Sequence, residues 1–253
     1  MSRARILSLD VTLGKYEAVL DQIIELAQKG TPSYVCFANV HMTVEAATNE
    51  SVRKATAGAD IITADGMPLA KAIGYKYGLE QDRIAGMDAM PDLLAKAASA
   101  SLSVFFLGTT DKMLQTIGKK ARDEHPSLEI AGMIAPPFGE DLDALSEEYV
   151  TVINNSGVNI VMVALGCPKQ ELWMAKYSGK INAVLLGLGG AFPVYAETIE
   201  RAPVWMQKYA LEWLYRLASE PLRLFGRYFR TNSYFLICMF FEVLSYKLSG
   251  KKR

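Results

Sequence analysis

The chain has 253 residues, 51% of them apolar and 21% charged, which is ample for a sizeable core and excludes a disordered chain. Its formal charge is zero, but residues 1–200 carry 17 Lys and Arg against 24 Asp and Glu, while residues 201–253 carry 10 against 3. The cysteines, Cys36, Cys167 and Cys238, are odd in number and far apart, so they suggest neither a disulfide framework nor a zinc site.

Met1 to Ile6 lack the apolar core of a signal peptide, and the chain is expected in the reducing cytoplasm. In chain order, Ile6 to Val11 alternates as a strand, and Tyr16, Val19, Leu20, Ile23, Ile24 and Ala27 mark a helix over about 14–29 that Gly30 ends. Tyr34 to Ala38 is a short continuous apolar run, the pattern of a buried parallel strand, and Asn39 leads into a helix reaching about residue 57. Ile61 and Ile62 close the next strand, Asp65-Gly66 turns after it, and Pro68 lies in the first turn of a helix over 67–77. Arg83 to Asp88 opens another helix. A strand at 103–108, a helix at 111–124 and a strand at 128–133 follow.

Pro136 to Gly139 reads as a rigid loop before a helix over about 142–155, and 158–165 is the most apolar strand. A helix follows Gly166 to Glu171, then a last strand at 183–187 and a loop from Gly189 to Pro193. This alternation predicts an α/β fold, Rossmann-like, with a mainly parallel sheet covered by helices on both faces over residues 1–200. Residues 201–253 differ: a basic, amphipathic helical appendage with helices beginning at Pro203, at Pro221 and near Tyr234. The third is interrupted by Glu242 and falls short of the roughly 20 apolar residues that cross a bilayer. Arg-flanked aromatic helices of this kind suit an anionic membrane surface.

Ligands in doubly wound sheets lie outside the carboxyl ends of the strands. Asp65 occupies such an end, where it serves either as a general base or only as a helix cap. Asn39, Gly66, Gln170 and the Gly189-Gly190 loop occupy similar ends and are candidates for binding a ligand there; His41 beside Asn39 is a candidate lining residue. Arg216, Arg223, Arg227 and Arg230 are spaced so that a continuous helix would bring them near one face, and the first three are candidates for a diphosphate. Asp141-Leu142-Asp143 looks like the metal-binding DxD of some glycosyltransferases but reads better as a helix start. His125 has no partner at ligand spacing. No metal site and no cofactor is expected.

Taken together, Asn39, Asp65-Gly66, Arg83 with Gly86 and Asp88, Gly166 to Glu171, Gly187 to Phe192, Arg201 to Trp205, and Glu212 to Arg216 with Glu220 to Arg223 resemble the WecG/TagA/CpsF glycosyltransferase family over nearly the whole chain. The resemblance implies the GT-E type of Rossmann-like fold with a membrane-binding appendage. It also implies metal-independent transfer of a hexosyl residue from a UDP-sugar to a polyprenyl-diphosphate-linked saccharide, in bacterial surface polysaccharide, exopolysaccharide or wall polymer biosynthesis. The enzyme would be peripheral on the cytoplasmic face of the membrane, with the aspartate at 65 as base and with Asn39, Gly66, Gln170 and the Gly189-Gly190 loop holding the donor nucleotide and its sugar. Arg83, Asp88 and Arg201 enter as further site-lining candidates through the same motifs. Phe37-Ala38-Asn39 stands where many relatives have Thr-x-Asn, and Phe192-Pro193 where many have Phe-Asp, so the donor sugar stays open among glucosyl, N-acetylmannosaminyl and uronic acid groups. Other readings are another nucleotide-binding Rossmann-like enzyme, although neither G-x-G-x-x-G nor a P-loop is present, and a non-enzymatic membrane adaptor. Nucleic acid is not expected as a partner. A tail that packs on a second subunit of a homo-oligomer is a further alternative.

Overall fold

A computed structural model describes residues 1–137 and 142–249, apart from the side chains of 142–145, 208 and 223. The expected loop at Phe138-Gly139, the Asp141 and Asp143 carboxylates, the Arg223 side chain and Lys251 to Arg253 therefore lie outside the described residues.

The first expected strand is instead a hairpin. β1 (Arg3–Ile6) pairs antiparallel with β2 (Leu9–Thr12) through a two-residue turn in which Leu7 takes φ 51°. Ile6, Leu9 and Val11 are buried from both sides of that turn, which is why the sequence reads as one alternating strand. Then come α1 (Tyr16–Gln28), β3 (Ser33–Ala38) and, where one helix was expected, α2 (Val40–Thr48) and α3 (Glu50–Ala57). The break falls at Asn49, whose side chain turns back to cap α3 by accepting from the Ser51 and Val52 amides. β4 (Ile61–Ala64), α4 (Met67–Tyr77), α5 (Gly86–Ser99), β5 (Val104–Gly108) and α6 (Asp111–Glu124) follow as read. After them come β6 (Ile130–Ile134), α7 (Leu142–Asn155), β7 (Ile160–Ala164), α8 (Lys169–Tyr177) and β8 (Val184–Gly187).

β3 to β8 form one parallel sheet in the order β4-β3-β8-β7-β5-β6. Side chains alternate across it, so Cys36, Ala38, Ile62 and Val163 enter one core, while Val35, Phe37, Ile61 and Leu186 enter the other. Both faces are covered, as the apolar strands require.

Beyond β8 the loop expected at 189–193 contains a short helix, α9 (Ala191–Tyr195). The single helix expected from Pro203 is two, α10 (Val204–Lys208) and α11 (Glu212–Ser219), separated at Ala210 with φ 64°. The helices expected at 221 and 234 are one, α12 (Pro221–Leu248), 28 residues and about 42 Å long. Among the described residues no helix is long and apolar enough to cross a membrane.

α12 lies across α2 and α4. Phe235 and Met239 are buried in the same core as Leu69 and Ile73, so part of the apolar side of α12 faces the protein. Phe225, Phe229, Leu236, Phe240, Phe241 and Leu248 stay exposed. Glu242, which interrupts the apolar run, accepts from the Leu7 amide at 2.9 Å and from Lys76 Nζ at 2.5 Å. Burial disfavours the Lys76 ammonium, but its bonds to Glu242 and Tyr77 outweigh that and raise its pKa.

One glycine fixes how the sheet ends near the site. Gly108 has φ 121°, and a Cβ there would stand 2.3 Å from the Ala164 carbonyl oxygen at the end of β7. Gly108→Ala is therefore expected to lower the free energy of unfolding by about 2–4 kcal/mol in urea titration. A loss below about 0.5 kcal/mol would mean that β5 and β7 do not approach as described.

Candidate active site

The carboxyl ends of β4, β3, β8 and β7, four neighbours in the sheet, open into a cleft of about 1000 Å³ whose far wall is made by α11 and α12. Asn39, His41, Asp65, Gly66, Gln170, Gly189, Gly190, Arg216 and Arg227 all line it. Residues distant in sequence meet there because parallel strands end on one edge.

Asp65 follows β4 directly. Its amide continues the pairing with β3 by donating to the Ala38 carbonyl, and its Oδ1 accepts from the Gly86 amide at 3.0 Å. Gly86 allows that approach: a Cβ there would be 3.3 Å from Leu188 Cδ2. Among the described residues Oδ2 has no hydrogen-bond partner. Burial pushes the Asp65 carboxyl up to about 6, against the Gly86 amide, Arg83 and Arg216, which pull it down, and with Glu212, which adds to the rise.

Asn39 is the N-cap of α2, and its Oδ1 accepts from the Met42 amide at 3.1 Å, which fixes the side chain and leaves its NH₂ as a donor for a ligand. Gln170 is 4% exposed and donates to the Gly187 carbonyl at 3.1 Å and to Glu171 Oε1 at 2.7 Å. Its own Oε1 is buried and, among the described residues, without a partner, 2.9 Å from where a Gly189 Cβ would stand. Gln170 thus holds the glycine loop in place and offers that loop's cavity one acceptor.

Glu171 was quoted in the sequence motif but given no role. It is fully buried, its carboxyl raised by that burial, with bonds from Gln170 and the Cys167 thiol. His41 has a buried Nδ1 without a hydrogen bond, 3.8 Å from Glu45. Burial, then the charge of Arg227, lowers its pKa, so the ring is neutral at pH 7.

Arg83, Asp88 and Arg201 do not line the cleft. Arg83 pairs with Asp88 at 2.7 Å and with Glu212, and Arg201 reaches Asp88 at 2.5 Å. This network joins the Arg83–Asp88 segment to α11 behind Asp65. Glu212 is a site residue that the sequence reading missed, although it stood within the quoted Glu212 to Arg216 run. A carboxylate next to Trp213 gave no hint that it would pair with Arg83.

Arg216 and Arg227 differ from these arginines. Arg216 lies over Gly190, its two terminal nitrogens each 3.5 Å from where a Cβ would be, and it reaches Met87 Sδ at 3.6 Å. Arg227 sits on the Tyr228 ring at 5.3 Å, with Nε buried and unbonded. No acid pairs with either among the described residues. Because α11 and α12 are separate helices, the two guanidiniums come from different directions; Arg230 is drawn off to Glu45 at 3.3 Å. Among the described residues no three His, Cys, Asp or Glu side chains gather as a metal set would.

In fold and site this is an α/β protein whose cleft joins one half-buried carboxylate to two guanidiniums that, among the described residues, have no acid as partner. The chain belongs to the Glycosyl transferase WecG/TagA/CpsF family, whose sequence profile matches residues 4–251. It is similar to the N-acetylglucosaminyldiphosphoundecaprenol N-acetyl-beta-D-mannosaminyltransferase of Bacillus spizizenii (strain ATCC 23059 / NRRL B-14472 / W23), with 33% identity over 195 residues, 76% of this chain and 73% of that protein.

The raised Asp65 pKa carries a cost that can be measured. Its proton is held in the folded state up to about pH 6 and lost in the unfolded state near 3.8, so the stabilising contribution is complete below 3.8 and disappears as pH rises through 6. Asp65→Asn is therefore expected to be more stable than the parent at pH 8, by about 1–3 kcal/mol after allowance for partial exposure, and to lose that advantage by pH 4. Equal stability at both values in chemical denaturation would contradict a strained carboxylate.

Proposed function

We propose that this glycosyltransferase moves a hexosyl residue from a UDP-sugar to a saccharide linked to a polyprenyl diphosphate, by single displacement with inversion and without a metal. The observation that carries the reading is Asp65: a carboxylate with a pKa near 6, one oxygen held by Gly86 and the other facing a cleft with Arg216 and Arg227. Asp65 accepts the acceptor hydroxyl proton as that oxygen attacks the anomeric carbon and the bond to UDP breaks. A base whose pKa lies just below neutral is both ionised and basic enough to assist. The growing charge on the UDP diphosphate needs fixed donors, and Arg216 over Gly190 stands beside the glycine loop that suits the donor. This differs from the sequence reading, which grouped Arg216 with the acceptor diphosphate; we keep Arg227 and Arg223 for that task. Asn39, Gly66, Gln170, Gly189 and Gly190 make the donor wall.

The acceptor class rests on the relative from Bacillus spizizenii, whose name describes transfer to a diphosphoundecaprenol-linked N-acetylglucosamine. The exposed Phe225, Phe229, Phe240 and Phe241 with the basic tail support peripheral attachment to the cytoplasmic face, where such a substrate would be met. Phe37 and Pro193 leave the transferred sugar to experiment.

UDP release in the presence of a polyprenyl-diphosphate saccharide tests the reading directly. Asp65→Asn keeps the shape and removes the base, so its turnover is expected to fall by about 10²–10⁴, and parent kcat/KM is expected to decline below pH 6. Near-parental turnover in the variant would remove Asp65 from this role. Arg216→Ala is expected to weaken UDP binding in calorimetry by roughly tenfold or more, the scale of one charge-assisted contact. Unchanged affinity would move the donor diphosphate away from Gly190.

A further inference from the structure

A second concavity, of about 580 Å³, begins where the catalytic cleft ends: Pro68, Ala210, Phe235 and Leu236 line both. One wall is a stripe of α4, Pro68, Lys71, Ala72 and Tyr75, at spacings of three, one and three that put them on one helix face. The other is α12 from Phe235 to Lys247, so the groove follows that helix for about 18 Å. Among the described residues that line it there is no acid, and the charged ones are Lys71 and Lys247. Its size lies within the roughly 300–1,000 Å³ of small-molecule sites. Tyr75 is 67% exposed at the groove, an unusual place for a large aromatic ring that covers nothing.

We propose that this groove holds the first isoprenoid units of the acceptor lipid. The inference rests on the acceptor class proposed above and extends it from the diphosphate to the chain. An amphiphile whose sugar meets Asp65 and whose diphosphate meets Arg227 becomes apolar immediately beyond the second phosphate. The chain must then leave across wall shared with the cleft, and the α4–α12 groove is the apolar surface that starts there. Lys71 and Lys247 extend apolar stems along it and hold their charges toward water or lipid headgroups. The groove would therefore select for a prenyl chain next to the diphosphate, not merely for an anionic bilayer.

The test uses the full chain with two soluble-detergent acceptors that share one diphosphate saccharide, one bearing a long polyprenyl chain and one a short alkyl chain. The parent is expected to favour the long chain in KM by roughly tenfold, and Tyr75→Glu and Leu244→Glu to erase that preference. Both positions are exposed, so neither variant disturbs the core. A farnesyl diphosphate ending in benzophenone serves as a photolabel read without turnover, and it is expected to mark peptides containing residues 68–77 and 235–247. Excess polyprenyl diphosphate should prevent the labelling and an equal excess of phospholipid should not. The inference is overturned by equal KM for both acceptors with label outside the groove, by protection with phospholipid alone, or by a sedimenting dimer that Leu244→Glu abolishes. Turnover with neither acceptor would refute the proposed function, while the photolabel would still read the groove independently.

Discussion

The cleft depends on how far a carboxylate can be taken out of water and still ionise. Burial alone drives Asp65 toward the neutral form, and a full salt bridge would drive it the other way, to a weak base locked against a cation. The structure stays between these limits. One Asp65 oxygen takes the Gly86 amide, a dipole and not a charge. The nearby guanidinium of Arg83 is already bonded to Asp88 and Glu212, so it reaches Asp65 only as a screened field. The result is a pKa of about 6, close to what a general base at neutral pH requires.

Ion pairs also tie the basic tail to the acidic body in both directions. The acidic body offers Asp88 and Glu45 to arginines of the tail, Arg201 and Arg230, while tail acids Glu212 and Glu242 meet body cations Arg83 and Lys76. These contacts are unequal. Arg230 is 73% exposed and its pair is worth little, whereas Lys76 and Arg83 are almost fully buried, and loss of a partner there would leave an unmatched charge inside the protein. Among the described arginines of the tail, Arg216 and Arg227 are left without an acid, and both line the cleft. A site for anions can be made by withholding partners from two arginines as much as by adding arginines.

Much of this was readable from the sequence because parallel sheets have strong local signatures. The helices at 67–77 and 111–124 lie where the reading put them: Pro68 stands in the first turn of one, and the Thr110 side chain caps the other. The hairpin at Leu7, the break at Asn49 and the merger of two helices into α12 were not legible for one shared reason. In each case a contact that hydrophobic periodicity does not carry decides the outcome: buried Ile6 and Leu9 on either side of a tight turn, the local Asn49 cap, and the docking of Phe235 and Met239 into the core that holds Leu69. In the site, residues directly after strands were found, because the end of a strand is a local fact. The roles of Glu171 and Glu212 were not, because each depends on a partner far away in the chain or on complete burial. Arg83, Asp88 and Arg201 were named for their motifs but serve as a network behind the cleft, and spacing alone could not have distinguished the two.

The central claim is that Asp65 acts on the acceptor hydroxyl and never bonds to the sugar. The configuration of the new glycosidic linkage, read from the one-bond carbon–hydrogen coupling at the anomeric carbon of the purified product, tests this most directly. The account predicts a linkage opposite in configuration to the sugar–phosphate bond of the donor. A product of the same configuration would require two displacements and a covalent or ion-pair intermediate, and would contradict it.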